Sequence, residues 1–263
     1  MFSALFGTPL TATIFSMEVV SVGVIYYAAF LPCIVSSIVA CSISRLAGFS
    51  AEKYSIPTMN AMSLGLIIKV IILAALCALV SSAFIICMHK TAKLYKDKIN
   101  NQYIRIIVGG FLIILLTAIV GTRDYNGAGM NIVKQTFSGK VNLESFFLKI
   151  IFTVVTLGAG YKGGEIVPSF FIGATFGNAV GNLMNINPGF GAAIGMVSVF
   201  CGVVNCPITA MFLSVELFGS GNVILFALAC AVSYVLSGYY SLYKSQKIVY
   251  SKLTPEYINA HTK

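Results

Sequence analysis

The chain has 263 residues, of which 58% are hydrophobic and only 10% charged, and its formal net charge is +9. Soluble domains carry about 25% charged residues, so a water-soluble globule is excluded and a membrane protein is indicated, with a mean hydropathy of +0.91. The positive charge does not point to nucleic acid, because in so apolar a chain lysine and arginine mark cytoplasmic loops.

Apolar stretches of about 18 residues, enough to cross a bilayer core, recur along the sequence, and the short alternating strands of a membrane barrel do not. The expected fold class is therefore an all-α, polytopic membrane helical bundle. No basic segment precedes the first apolar run, so no removable leader is expected.

In chain order, residues 3–18 form a moderately apolar segment opened by Gly7-Thr8-Pro9 and closed by Glu18. Residues 19–43 form a second run with Pro32 in its interior, which predicts a kink or two shorter helices. A polar loop over 47–60 leads to the long apolar run 62–88, in which Lys69 can snorkel to an interface. Lys90, Lys93, Lys96, Lys98 and Arg105, with Asp97 as the only acid, predict a cytoplasmic loop before the helix 104–120. The polar, glycine-rich stretch 121–142 reads as an external loop or a re-entrant segment.

Residues 146–157 are too few to cross alone. The break at 158–164, followed by a helix from Pro168, predicts a discontinuous helix pair at membrane depth. Apolar runs at 191–204, 207–217 and 223–239 follow, then a basic tail with Lys244, Lys247 and Lys252, too short for a further domain.

Residues 8–18 align without gaps on residues 206–216 at a constant offset of 198, with proline, threonine, alanine, serine and glutamate matched. Inverted repeats of this kind place a transported species where the halves meet. Shifted back by the same offset, the counterpart of Glu165 falls ahead of Met1, so the chain is expected to start within its own first repeat.

Gly163-Gly164-Glu165-Ile166-Val167-Pro168, the two Pro-x-Thr-Ala segments ending in Glu18 and Glu216, and Tyr250-Ser251 together resemble the CLC family of chloride channels and proton-coupled anion antiporters, from Gly7 to about Leu253. The resemblance implies an inverted repeat with broken helices, in a multi-pass, homodimeric protein of the cell membrane. Residues 1–48 would be the end of the first repeat, 49–253 the second repeat, and 254–263 a short cytoplasmic tail. It implies an anion site at Gly164, Glu165, Ile166 and Val167, with the backbone amides of Glu165 and Ile166 lining its centre and the Tyr250 hydroxyl on the cytoplasmic side, Tyr243 being the rival tyrosine.

Three departures from the family pattern stand out. Ile166 replaces the motif's phenylalanine, the first-repeat filter has no counterpart, and Val19 stands where many antiporters carry an inner, proton-conducting glutamate. Chloride is the expected anion, with fluoride as the alternative. Protons are a possible second substrate, and a separate polypeptide carrying the missing half a possible partner. A chain that does not transport on its own is the competing reading.

For Glu165, a proton shuttle competes with a carboxylate that caps its own helix or pairs with Lys162. Glu18 and Glu216 read as interfacial or capping residues, the glycines over 173–181 as close packing, and Cys33, Cys41, Cys77, Cys87 and Cys230 as small hydrophobes, with Cys201 and Cys206 spaced unlike a zinc pair. No cofactor or metal site is expected, and no nucleophile and base set indicates an enzyme.

Overall fold

A computed structural model describes residues 2–49, 53–58, 63–139 and 141–262. Positions 60 and 62, the edges of a predicted loop and helix, and position 263 of the tail lie outside the described residues.

The first segment is two helices, α1 (Phe2–Phe6) and α2 (Pro9–Glu18), because Gly7 turns the chain at φ +67°. After α2 come the short strand β1 (Ser21–Val22), a single 3-10 turn, and α3 (Phe30–Leu46). Pro32 therefore lies in a first helical turn, where its missing N–H costs nothing, and the expected interior kink is absent.

The helix α4 (Leu64–Lys98) has 35 residues, about 52 Å at 1.5 Å per residue, well beyond the ~30 Å hydrocarbon core. Its far end carries Lys90, Lys93, Lys96 and Lys98, so the predicted basic loop is instead the projecting end of a helix. Ser63 caps α4, and Asn101 caps α5 (Gln102–Val120). The polar stretch that follows contains a helix, α6 (Met130–Ser138).

Next come α7 (Ser145–Gly158), α8 (Ile166–Leu183), α9 (Pro188–Val204), α10 (Pro207–Phe218) and α11 (Val223–Leu236). The tail then folds back as β2 (Lys247–Tyr250) and β3 (Tyr257–His261), with β2 parallel to β1 and antiparallel to β3. The composition gave no warning of this small sheet, because four or five residues outside the apolar segments carry no periodic signal.

Among the described residues four helices, containing 27–46, 64–98, 102–120 and 166–183, are long and apolar enough to cross a membrane. The protein is a multi-pass membrane protein. Its core is the α8–α9 pair, held at backbone contact by glycines. A methyl group added to Gly173 would lie 2.5 Å from the Gly195 carbonyl oxygen, and Gly177 and Gly191 meet in the same way. In contrast, α3 and α5 turn apolar side chains such as Leu46, Ile107, Phe111 and Ile114 outward.

The internal repeat is a physical pair. The Glu18 carboxylate, at the end of α2, accepts hydrogen bonds from Ile208 N (3.2 Å), Thr209 N (2.8 Å) and Thr209 Oγ1 (2.6 Å) at the start of α10. The Glu216 carboxylate, at the end of α10, accepts from Leu10 N (3.0 Å), Thr11 N (2.8 Å) and Thr11 Oγ1 (2.6 Å) at the start of α2. Each helix ends where the other begins, so the two run antiparallel, and each glutamate satisfies amides that the other helix leaves free. Both glutamates are caps, as their matched positions indicated.

Removing either carboxylate strands two amides and a hydroxyl. Glu18→Ala and Glu216→Ala are each expected to cost about 1–3 kcal/mol, with the larger loss at Glu18, which is only 6% exposed. The two caps sit at opposite ends of the 10-residue α2, so the losses should add within ~0.5 kcal/mol. Melting of the single and double variants in detergent checks this.

Candidate anion-binding site

The site is built at the interruption between α7 and α8. α7 has 14 residues, about 21 Å, so it stops short of a full crossing. Its last residue, Gly158, fits against Thr91 and Tyr95 of α4, and the next, Ala159, lies over Gly109 of α5. Gly160 then takes φ +105°, which a side chain would strain. The Tyr161 hydroxyl donates to the Ile106 carbonyl at 3.0 Å, so the turn is fastened to α5 at two points.

α8 begins at Ile166 with Pro168 in its first turn. The first helical hydrogen bond is Ser169 N to the Glu165 carbonyl at 3.2 Å. The Ile166 and Val167 amides precede it and have no acceptor within the helix, Pro168 has no N–H, and no side chain of the N-cap residue Glu165 closes the end. The expected alternative, Glu165 capping its own helix, is therefore not what the structure holds. Ile166 and Val167 anchor the turn by packing their side chains on the core. Free amides and the positive end of the helix dipole together favour a small anion here without a full positive charge.

Two cavities border this turn. One of about 300 Å³ is lined by Glu165, Gly163, Lys162, His89 and Lys244. The other, about 680 Å³ and mainly apolar, runs along Gly164, Val167 and Pro168. A third, of about 340 Å³, shares His89 and Lys244 with the first and adds Lys90, Lys93, Lys96 and Asp97. The fold thus brings Lys244 of the tail to the basic end of α4.

Gly164, Glu165, Ile166 and Val167 are consecutive and form the turn and the start of α8, whereas Tyr250 belongs to the small sheet of the tail. Tyr250 lies on β2, is 44% exposed and packs on Tyr257, with ring centroids 5.8 Å apart. Neither Tyr250 nor Tyr243 is among the residues lining the two cavities beside the turn. Tyr243 is half-buried against the core, and burial first, then the nearby Glu165 carboxylate, push its hydroxyl up to about 12.

A polar knot fixes the segment that carries Tyr243. Gln246 Nε2 donates to the carbonyls of Val19 (2.8 Å) and Val204 (2.9 Å), and Asn205 Nδ2 donates to Gln246 Oε1 (3.1 Å). Lys252 Nζ donates to Asn205 Oδ1 (2.6 Å), Tyr234 O (2.9 Å) and Ser237 Oγ (3.1 Å). The ends of α2, α9 and α11 are tied to the tail in this way.

Sequence reading also missed Lys149. It is 1% exposed, donates to the carbonyls of Gly127 (2.6 Å) and Tyr125 (3.2 Å), and lies 4.8 Å from the Phe171 ring centroid. Its charge holds the glycine-rich stretch against α7 and α8. The signal was a single lysine inside an apolar run.

The family described as voltage gated chloride channel matches residues 2–238. A chloride/fluoride channel protein of Pseudomonas syringae pv. tomato is 34% identical over 257 residues, 95% of this chain and 57% of the relative. A proton/chloride exchange transporter of Vibrio cholerae is 28% identical over 130 residues, 45% of this chain and 27% of the relative. A CLC-type fluoride/proton antiporter of known structure superposes with a TM-score of 0.91 at 28% identity, covering 94% of this chain and 63% of that one. A slow cyanobacterial chloride/proton antiporter, at TM-score 0.69 and 18% identity, shares the fold. The chain thus spans 57% to 63% of the length of the first two full-coverage relatives.

The strained turn gives a direct test. Gly160→Ala meets no steric clash, its nearest neighbour being Arg105 Nε at 3.8 Å, so its cost is the backbone alone, about 1–3 kcal/mol. It is expected to lower both the melting temperature and halide affinity by calorimetry, because the turn aims the Ile166 and Val167 amides.

Proposed function

The chain belongs to the voltage-gated chloride channel family, and on that premise we propose that it carries one wall of a pathway moving small anions across a membrane in exchange for protons. The observation that carries this reading is the uncapped start of α8, with two free amides beside a carboxylate that no cap holds. The anion sits on the Ile166 and Val167 amides beside Gly164 and Glu165. Weak, uncharged donors suit transport, since the ion must also leave.

The tyrosine that completes the site is Tyr243 rather than Tyr250, a reading supported by its half-burial against the core where Tyr250 is exposed. Glu165 takes up and releases the proton. The basic end formed by α4 and Lys244 faces the cytoplasm, as the bias of lysine toward that side requires, and it draws anions toward the turn. The domains follow the repeat: 1–48 end a first half, 49–253 form the second, and 254–263 close the tail. The second wall faces the apolar cavity along Gly164 and Pro168. It is supplied by further chain or by a separate polypeptide, in a homodimer.

Chloride is the leading anion. A fluoride/proton exchanger is the second reading, favoured by the names of the chloride/fluoride relative and the fluoride/proton structure. Flux of each halide from vesicles holding the native protein with its co-purifying chains decides between them.

Glu165→Gln keeps the backbone amides and removes the titrating oxygen. Proton movement per anion is expected to fall about tenfold or more, and an undiminished ratio would sink the proton role. Tyr243→Phe deletes one donor, worth about 0.5–1.5 kcal/mol, so halide affinity should weaken several-fold, and more than in Tyr250→Phe. Titration calorimetry reads the difference.

A further inference from the structure

Lys149 is a buried charge without a counterion. Its amine, 1% exposed, donates to the carbonyls of Gly127 (2.6 Å) and Tyr125 (3.2 Å) and lies 4.8 Å from the Phe171 ring centroid. A lysine ammonium has three N–H donors, and two carbonyl oxygens and a ring face accept all of them, so the surroundings suit the charged form. They solvate the charge without neutralising it, because no carboxylate pairs with Lys149 among the described residues. Buried charges are ordinarily paired, since the cost of leaving water is otherwise not recovered. The ammonium calls for an anion nearby.

The peptide linking Gly127 to Ala128 marks the place. Both residues line the apolar cavity of about 680 Å³, and a methyl group added to Gly127 would meet nothing within 4 Å. No peptide bond among the described residues is cis, and a trans peptide directs its N–H opposite to its C=O. With the Gly127 carbonyl turned to Lys149, the Ala128 N–H points away from it. That N–H has no acceptor among the described residues. An ammonium on the oxygen also polarises the peptide, which strengthens the N–H as a donor.

The same cavity leads to the turn before α8. It runs along α5 past Gly110, Ile113 and Ile114, and Gly164 and Val167 line it too. Tyr161 fastens the turn to Ile106, and Asn126 Nδ2 fastens the loop to Thr117 Oγ1 at 3.3 Å. Ile106 and Thr117 are eleven residues apart on α5, about 16 Å of helix.

We propose that the Ala128 amide, backed by Lys149, is a second station for the small anion, further along the cavity from the Ile166 and Val167 amides. The assignment rests on the anion-pathway reading above and deepens it. Lys149 does not touch the ion. It is a positioning residue that holds the peptide and attracts the ion across it, in surroundings where charge is weakly screened. Two stations on one path suit transport, because neighbouring ions help each other leave.

Bromide titration calorimetry on the native protein with its co-purifying chains tests this. An ester in place of the Ala128 amide removes the N–H and keeps every side chain, and it should lose one bromide per chain. Lys149→Met should weaken binding of that same ion by about tenfold or more, whereas Lys149→Arg, which restores the charge, should keep it. A lysine that only props the loop would leave the ester variant binding bromide as the native protein does, and that result overturns the station while the pathway reading stands. Equal binding by Lys149→Met and Lys149→Arg overturns the part given to the charge. If Lys149→Met does not fold, the ester variant, with Lys149 in place, decides. No bromide bound by the native protein overturns both the station and the reading beneath it.

Discussion

A backbone N–H at membrane depth must have an acceptor, and this fold depends on how that demand is met at its helix starts, several of which are closed by side chains. Ser63, Asn101 and Asn187 close α4, α5 and α9 with their own side chains. Glu18 and Glu216 close α10 and α2 from the opposite partner. α3, α6, α7, α8 and α11 have no such cap, but at α8 the amides without a helical acceptor among the described residues, those of Ile166 and Val167, adjoin a glycine-rich turn in which Gly163, Gly164 and Glu165 border open space. A mobile anion is the acceptor we propose there, because it would satisfy the amides without fixing them permanently.

The rest of the structure keeps that start in place. Glycine contacts lock α8 to α9, the turn before α8 is fastened to α5 by Tyr161 and to α4 by Gly158, and Lys149 ties the preceding loop beneath it. On the other side the knot of Asn205, Gln246 and Lys252 holds the tail that carries Tyr243. These polar side chains are buried and paired, which is how charge and amide groups are tolerated in an apolar protein. Rigidity of the turn is the common outcome, and a preorganised set of donors binds an ion without reorganising.

Much of this was legible in the sequence because its signals are local or periodic. The broken pair at 158–168 followed from a helix too short to cross and a proline at the head of the next, and the correspondence of Glu18 with Glu216, though not the mutual capping, from a constant offset in rare residues. The strands of the tail, the length of α4 beyond its apolar run, and the first-turn place of Pro32 were not legible. They are set by tertiary pairing and by where the membrane ends rather than by residue pattern. Tyr243 and Tyr250 lie seven positions apart in a polar tail, and only the fold separates the half-buried ring from the exposed one.

The central claim is that the start of α8 binds the transported ion. Crystals of the native protein soaked in bromide test it most directly, through the anomalous scattering of that ion. The account predicts a bromide peak within hydrogen-bonding distance of the Ile166 and Val167 amides and facing the Tyr243 hydroxyl. Ordered bromide elsewhere in the bundle with none at this turn would contradict it.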